Sequence, residues 1–318
     1  MASYPSAAPE NGKFKQFYPS AMYFFLTQLI GATFTSIIHG SSYPFIRTAK
    51  HAGHHVLITG GARGIGRSIA LSFARAGASA IAVADISESF QQIASDIATA
   101  AKEKGYGVPQ VMMTKLDVTD EDSTRQCAKM IEREFKGKLD ILVNNAGFMT
   151  PALSVSESDA DSWWRTMEVN LKGVYLMSKH FVPLLLSTPD GLRTMINVNS
   201  VAAHNLRPMA SAYGTSKLAV LRFTEFLMVE AGSKGLLAYS VHPGAILTEL
   251  AKKGMPPETL PGLSDSIDLA GDTVAWLSNE RREWLAGRYI SSTWDMSEVI
   301  DRKAEIVEGD KLKVRLVV

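Results

Sequence analysis

The chain has 318 residues, 46% of them hydrophobic and 20% charged, which is typical of a globular protein with one large core. Its 33 basic residues nearly balance its 32 acidic ones, which argues against the basic surface that binding to nucleic acid requires. A single cysteine, Cys127, excludes an internal disulfide, and no Asn-x-Ser/Thr acceptor occurs, so we predict a protein of the reducing cytoplasm.

The first feature along the chain is an uncharged stretch at residues 17–38, FYPSAMYFFLTQLIGATFTSII. It is long enough to cross a bilayer, but a proline, a glycine and several hydroxyl or amide residues interrupt it, and a small-residue cleavage site is missing. We interpret residues 1–50 as an arm that packs on the main domain or on a partner subunit. A membrane anchor is the alternative that we do not favour.

Three histidines follow the arm, His51, His54 and His55, and no cysteine or carboxylate lies beside them. We interpret them as a solvated start of the first strand and predict no metal site.

From residue 55 onward, apolar strands alternate with amphipathic helices, which predicts an α/β domain with a parallel, doubly wound sheet and helices on both faces. Seven strands are predicted, at residues 55–60, 79–85, 108–117, 139–147, 194–200, 236–244 and 287–295. Helices are predicted at residues 66–77, 87–104, 120–136, 158–187 and 211–232. Residues 245–266 are predicted to form a loop. The main domain then spans 51–295, and residues 296–318 form a C-terminal extension.

The sequence TGGARGIG, residues 59–66, lies where the first strand passes into the first helix. A turn at this place directs backbone N–H groups and the positive end of a helix toward a phosphate. Gly60 is expected to allow the sharp turn, Gly64 the approach of a pyrophosphate, and Gly66 close packing of helix on strand. Two other readings stay open. Residues 61–68 nearly match a P-loop, although Arg67 replaces the required lysine, and the turn could also bind no ligand.

Asp85 ends the second predicted strand, nineteen residues after Gly66, where an acid can bond both ribose hydroxyls of the adenosine of NAD. Its carboxylate would repel the 2′-phosphate of NADP. Arg63, in the glycine turn, could instead attract that phosphate. We therefore favour NAD and keep NADP as the alternative.

Together with further motifs, these residues resemble the short-chain dehydrogenase/reductase family. The matching motifs are the glycine turn, NNAG at 144–147, Asn170 in EVNLKG, Ser200, Tyr213 and Lys217 in YGTSK, and Pro243, Gly244 and Thr248 in PGAILT. The resemblance covers about residues 51–295 and implies a Rossmann-like fold. The two ends of the chain look similar to extended fungal members of the family.

The resemblance also implies roles for individual residues. Tyr213 would be the general acid/base, with its pKa lowered by Lys217 and by an oxidised nicotinamide ring. Ser200 would bind the substrate oxygen, and Asn170 would hold a water that relays protons. The cofactor-binding residues implied are Gly60, Arg63, Gly64, Ile65, Gly66, Asp85, Asp117, Val118, Asn145, Tyr213, Lys217, Pro243, Gly244 and Thr248.

The substrate is indicated only by apolar residues near these motifs, which either line a cleft or are ordinary core and lid residues. They are Phe148, Met149, Leu206, Met209, Leu250, Met255, Leu260 and Leu263. Trp294 stands where many family members have an Asp-Gly-Gly sequence, and it is a candidate for the pocket wall. We expect His204 to be an exposed loop histidine.

The function predicted is NAD(P)-dependent interconversion of a secondary alcohol and a ketone on a largely apolar small molecule, as in secondary metabolism. The alternative is a sensor or scaffold of the same fold that binds the dinucleotide without redox chemistry. Because family members commonly pair through the long helices after the fourth and fifth strands, we expect a homodimer or homotetramer.

Overall fold

The computed structural model describes residues 31, 33–87 and 90–316. Its sheet has seven strands, all paired in parallel, in the order β3-β2-β1-β4-β5-β6-β7. The strands are β1 His55–Thr59, β2 Ala80–Asp85, β3 Gln110–Lys115, β4 Ile141–Asn144, β5 Thr194–Val198, β6 Leu237–His242 and β7 Tyr289–Ser291. The predicted parallel, doubly wound sheet is thus confirmed. The winding direction reverses between β1 and β4, and ligands of such sheets bind at this place, beyond the carboxyl ends of the strands.

Helices cover both faces of the sheet. They are α1 Gly64–Arg75, α2 Gln91–Glu103, α3 Glu121–Glu134, α4 Ala160–Met167, α5 Gly173–Ser187, α6 Ser211–Ala231, α7 Glu249–Gly254, α8 Ile267–Leu277, α9 Met296–Asp301 and α10 Lys303–Glu308. Side chains of each strand alternate between two core layers. Val56 and Ile58 of β1 pack in the layer of Phe73 and Leu269, whereas Leu57 packs in the layer of Phe181.

Two helical regions differ from the prediction. The helix expected at 158–187 is divided by a π-helical turn, Glu168–Lys172, and α8 was not predicted at all. A parallel β6–β7 pair requires a crossover connection, and α8 supplies it. The predicted loop 245–266 also contains α7 and a 3-10 turn, Pro257–Gly262.

The three histidines at the entry to β1 are not all solvated, so this prediction is wrong for His51. Its side chain is fully buried, and its Nε2 lies 2.8 Å from the Ala275 carbonyl oxygen. Burial lowers the pKa of His51 to about 3, so the ring is neutral and serves packing. His54 and His55 are half-buried.

The described part of the N-terminal arm packs on the C-terminal part of the chain. The Trp294 indole donates a hydrogen bond to the Gly31 carbonyl oxygen (2.8 Å), and Ile38 forms an isolated antiparallel bridge with Trp294. Most of the stretch 17–38, on which the choice between arm and anchor depends, lies outside the described residues. Within the described ranges, no helix combines the length and apolar character needed to cross a membrane.

Residues after 295 contribute to the same core as the sheet. Met296, Val299 and Ile306 are fully buried in the layer that contains α1 and α8. The division of the chain at residues 50 and 295 stays a prediction.

Candidate functional site

A cleft of about 490 Å³ opens beyond the carboxyl ends of the central strands. Twelve of the predicted site residues line it: Gly60, Arg63, Gly64, Ile65, Asp85, Asp117, Val118, Asn145, Tyr213, Lys217, Pro243 and Thr248. The other four predicted residues, Gly66, Asn170, Ser200 and Gly244, are not among the residues that line it.

The glycine turn forms one end of this cleft. Gly60 and Gly64 have positive φ angles of 62° and 56°, which only glycine adopts without strain. A Cβ atom on Gly66 would lie 2.2 Å from the Gly60 carbonyl oxygen, so the packing of helix on strand needs glycine there. Asn145 holds the turn from the other side, because its Nδ2 donates to the carbonyl oxygens of Thr59 (2.9 Å) and Gly60 (3.0 Å).

Helix α1 begins in this turn, at Gly64, and no side chain caps its N-terminus. Its first backbone N–H groups therefore have no capping acceptor from the protein. Arg67 stands where a P-loop has its phosphate-binding lysine. Its guanidinium donates a hydrogen bond to Asp96 of α2 at 2.7 Å. This ion pair holds its guanidinium on α2, so the arrangement does not favour a P-loop.

Acidic residues lie beside the turn. Asp85 accepts hydrogen bonds from the backbone N–H groups of Ala62 (3.1 Å) and Ser87 (3.0 Å). Asp117, at the start of the loop after β3, accepts from the Thr119 N–H (2.9 Å) and hydroxyl (2.7 Å). Burial by itself would raise the pKa of Asp117, but the Thr119 hydrogen bonds lower it below its ordinary value.

Ser200, Tyr213 and Lys217 come together beside the cleft. Helix α6 places Tyr213 and Lys217 one turn apart, with the Lys217 Nζ 5.6 Å from the centre of the Tyr213 ring. The Lys217 ammonium donates to the Val198 carbonyl oxygen at the end of β5 (2.9 Å). Ser200, just after β5, lies close enough to the Tyr213 phenol for its hydroxyl to lower the pKa of that phenol.

Burial dominates the charge state of this pair. It raises the pKa of Tyr213 to about 12, although the Ser200 hydroxyl and the charge of Arg207 oppose it. It lowers the pKa of Lys217 to about 8. The protein's own groups therefore leave the pKa of Tyr213 above its ordinary value, because the cost of burying a phenolate exceeds the help of nearby charge. The lowered pKa was predicted for Lys217 together with an oxidised nicotinamide ring, and it stays a prediction.

Asn170 lies in the π-helical turn, and its amide is fully engaged within the protein. Its Oδ1 accepts from the Phe148 N–H (2.8 Å), and its Nδ2 donates to the Phe148 carbonyl oxygen (2.9 Å) and the Ser216 hydroxyl (3.0 Å). Both amide hydrogens are used, so the side chain does not have a free donor for a relay water. Asn170 thus connects the segment after β4 to α6, and its predicted hold on a relay water stays a prediction.

Sequence reasoning missed Asn199, which positions two of the predicted residues at once. Its Oδ1 accepts from the Ser200 N–H (2.8 Å), and its Nδ2 donates to the Lys217 carbonyl oxygen (3.1 Å). It also lines the cleft. The sequence contained one signal for this role: an amide residue stands directly before Ser200, at the end of a strand.

The segment after β6 closes the cleft. Gly244 has a φ of 105°, and a Cβ atom there would lie 2.9 Å from the Asp265 Oδ2. That carboxylate accepts from the Ala245 N–H (2.6 Å) and ties the two ends of the segment 245–266 together. Thr248 caps α7, since its hydroxyl accepts from the Ala251 N–H (3.2 Å).

The apolar candidates divide into two groups. Phe148, Met149 and Leu250 line the cleft, whereas Leu206 is 81% exposed and Met209 is 42% exposed. The remaining candidates, Met255, Leu260 and Leu263, are not among the residues that line the cleft.

Two expectations about the pocket wall are corrected. Trp294 is only 1% exposed and packs against Phe34 and Tyr289, so it faces the N-terminal arm and not the cleft. His204 is half-buried and not an exposed loop residue, because its ring packs edge-on against Tyr289.

Comparison with known proteins agrees with this architecture. The sequence model described as short chain dehydrogenase matches residues 54–258. The short chain dehydrogenase citE of Monascus ruber is 48% identical over 289 residues, which are 90% of this chain and 97% of that protein. The short chain dehydrogenase andI of Emericella variicolor is 41% identical and covers 87% of this chain and 94% of its own length.

Solved structures have the same fold. A Serratia marcescens short-chain dehydrogenase/reductase double mutant matches with a TM-score of 0.65 and 26% identity, over 76% of this chain and 96% of that one. A blue fluorescent protein from a metagenomic library, solved in complex with NADPH, matches with a TM-score of 0.64 and 27% identity over the same shares. The predicted likeness to fungal members is confirmed. The chain belongs to the short-chain dehydrogenase family of oxidoreductases.

Proposed function

We propose that the protein is an NAD(P)-dependent oxidoreductase that interconverts a secondary alcohol and a ketone on a largely apolar small molecule, of the kind found in secondary metabolism. One observation carries this proposal: the phenol of Tyr213 and the ammonium of Lys217 line a cleft whose other end is the glycine turn, and the hydroxyl of Ser200 lies beside Tyr213. Phe148, Met149 and Leu250 give the cleft an apolar lining.

The residues at the turn suit a dinucleotide. The uncapped first N–H groups of α1 would bind the pyrophosphate, and a Cβ atom on Gly64 would meet no atom within 4 Å, which leaves room for close approach. Asp85 would bond the adenosine ribose, and Asp117 would contact the adenine amino group. The Asp85 carboxylate lies against the turn through Ala62, so we propose NAD as the preferred cofactor, with NADP as the alternative because Arg63 also lines the cleft.

Tyr213 would act as the general acid in ketone reduction. Its raised pKa, about 12, keeps the phenol protonated near neutral pH and able to give its proton to the substrate oxygen as the alcohol forms. When bound, the nicotinamide supplies the hydride, and its oxidised ring adds the positive charge that the phenolate needs in the reverse direction. Ser200 would hold the substrate oxygen against Tyr213, and Lys217 would contact the nicotinamide ribose.

A sensor or scaffold without redox chemistry is the second candidate. Such a protein needs only the glycine turn and Asp85. It has no need of a serine hydroxyl beside the Tyr213 phenol or of the buried ammonium of Lys217. These contacts favour the oxidoreductase.

We also propose that two copies of the chain pair through α5 and α6. These helices leave large apolar side chains exposed, namely Tyr175, Leu218, Phe226 and Val229. Large exposed apolar patches mark sites of protein–protein interaction. A cytoplasmic location stays a prediction.

Replacement of Tyr213 by phenylalanine tests the proposed function. With NADH and a panel of ketones, we expect Tyr213→Phe to lower kcat by roughly 10²- to 10⁴-fold, the usual effect of losing a general acid, with NADH affinity changed by less than about twofold. Tyr106→Phe is the matched control and should keep full activity. Tyr106 lies on the surface beside Gly77, far from Tyr213 in the sequence. Equal ketone reduction by both variants would contradict the role of Tyr213. Tight NADH binding without reduction of any ketone by the unaltered protein would support the sensor.

A further inference from the structure

Gly254, the last residue of α7, has no room for a side chain. It is buried, and a Cβ atom there would lie 2.5 Å from the Sδ and 2.8 Å from the Cβ of Met149, and closer still to its Cγ. Non-bonded carbon atoms attract each other only at about 3.5–4.0 Å. The Met149 side chain therefore occupies the place that a side chain of residue 254 would take.

Helix α7 turns one face toward the cleft. Leu250 and Gly254 are four residues apart, so they share this face. Leu250 lines the cleft with its own side chain. At the position of Gly254 the wall is instead supplied by Met149, which follows β4 and also lines the cleft. The helix supports the methionine from behind, and the other side of the methionine is the cleft.

The backbones on both sides of this contact are fixed. Asn170 accepts from the N–H and donates to the carbonyl oxygen of Phe148, directly before Met149, at 2.8 and 2.9 Å. The Thr248 hydroxyl caps α7, and the Asp265 carboxylate ties the ends of its segment together. The part that can move is the Met149 side chain, which is unbranched and has three rotatable bonds.

We infer that Met149 limits the size of the apolar group that the substrate carries beside it, and that Gly254 sets this limit by leaving the methionine space against α7. This inference rests on the proposed function for the reaction itself. A side chain at residue 254 would turn Met149 into the cleft and narrow it, whereas a smaller residue at 149 would widen it. One methylene more or less in a hydrophobic pocket changes substrate preference by roughly 10- to 200-fold.

A crystal structure of Gly254→Ala tests the packing without any substrate. We expect the Met149 side chain to lie in the cleft and α7 to keep its place, because a flexible side chain moves at lower cost than a tethered helix. A displaced α7 with Met149 in its original position would overturn the inference. Gly107→Ala is the control, since its Cβ atom would meet no atom of the described residues within 4 Å.

Substrate preference is measured with acetophenone and isobutyrophenone, which differ by a methyl and an isopropyl group on the carbonyl. We expect Gly254→Ala to lower kcat/KM for the isopropyl ketone, relative to the methyl ketone, by roughly 10- to 100-fold. Met149→Ala should raise the same ratio by a similar factor, and it leaves α7 as it is, so it tests the limit even where Gly254→Ala does not fold.

The double variant Met149→Ala, Gly254→Ala separates this contact from a general effect on α7. It should regain at least about tenfold of the ratio lost in Gly254→Ala, because the Cγ and Sδ atoms that collide with the new Cβ are absent. Met113→Ala, at a position of β3 that is 38% exposed, is the control and should keep the ratio of the unaltered protein. Melting temperature and NADH affinity are measured for every variant.

An unchanged ratio in both single variants would overturn the inference, while reduction of ketones by the unaltered protein still supports the proposed function. If no ketone is reduced, calorimetric titration with acetanilide and isobutyranilide decides, with NADH present, because these amides have similar shapes and do not accept a hydride. A shift of their affinity ratio in the two expected directions would support the size limit and contradict the proposed reaction. An unchanged affinity ratio would contradict both.

Discussion

Tyr213 and Lys217 show how burial acts on single side chains. Burial favours the neutral form of every ionisable group, so it raises the pKa of the phenol to about 12 and lowers that of the ammonium to about 8. Near neutral pH the phenol holds its proton, and Lys217 is charged but close to its titration point. The pH dependence of the reaction should therefore reflect the lysine.

We predict that kcat/KM for ketone reduction falls above about pH 8. Because the pKa of Lys217 is lowered to about 8, its ammonium is present below that pH and is lost above it, while Tyr213 stays protonated. Arginine keeps its charge at higher pH than lysine. In Lys217→Arg, the pH at which kcat/KM begins to fall should therefore rise by at least about one pH unit. The measurement is kcat/KM between pH 6 and 10, with NADH binding checked at each pH. A flat profile across this range contradicts the prediction.

Asp85 is the residue that should decide between the two cofactors. Its carboxylate is buried at the edge of the turn and accepts two backbone hydrogen bonds, so it cannot easily move away from a 2′-phosphate. We predict that the protein binds NADH at least about tenfold more tightly than NADPH. Asp85→Ser should reduce this preference, measured as the ratio of the two dissociation constants, by about tenfold. Fluorescence titration measures both affinities, and Asp122→Ser on the exposed face of α3 is the control. Tighter NADPH binding by the unaltered protein would refute this use of Asp85.

At the scale of elements, the sequence predicted the helices that have one polar face. It did not predict α8, which is buried on all sides. Residues 269–277 of α8 are all buried, so its sequence lacks the polar stripe that marks an amphipathic helix. Gly271 inside it also weakens a helix prediction. In the structure this glycine allows α8 to approach α1, since a Cβ atom would lie 2.6 Å from the Ser72 hydroxyl.

Helix α6 has an exposed apolar face in addition to its buried one, which leads to a prediction about assembly. Leu218, Phe226 and Val229 of this face are 41%, 51% and 79% exposed. We predict that Phe226→Glu reduces the assembly mass seen by light scattering after size-exclusion chromatography, because a charge at the interface has no partner. Val307→Glu, an equally exposed apolar position on α10, is the control. A monomer in the unaltered protein contradicts the proposed pairing.

At the scale of the whole molecule, the two ends of the described chain pack on each other. Glu298 of α9 accepts hydrogen bonds from the backbone N–H groups of Ser36 (2.7 Å) and Ile37 (2.9 Å) and from the Ser36 hydroxyl (2.7 Å). His39 lies 2.8 Å from Asp295, and Phe34 packs on Trp294. These contacts fix the described part of the arm, which contributes no residue to the cleft lining.

We predict that Glu298→Ala lowers the melting temperature and speeds proteolysis between residues 31 and 40. The reason is that three donors of the arm lose their acceptor at once. Activity on ketones should change by less than about twofold, since Glu298 does not line the cleft. Glu308→Ala, at an exposed position of α10, is the control for loss of a surface carboxylate. An unchanged cleavage pattern would show that these hydrogen bonds do not hold the arm.

Much of the fold could be predicted because local patterns encode it. The apolar runs, the glycine turn and the separation of Tyr213 from Lys217 each depend on a few neighbouring residues, and the strands formed where those runs occur. The order of the motifs then led to the family. The parallel sheet follows from the alternation of strands and helices along the chain.

Only the tertiary structure decided which groups are neighbours across long separations. It turns Trp294 toward the arm, uses both donors of Asn170, and places Asn199 between Ser200 and Lys217. Burial and contacts of this kind depend on residues that are distant in the sequence. The pKa values and hydrogen-bond partners that result from them therefore cannot be predicted from any local stretch of sequence.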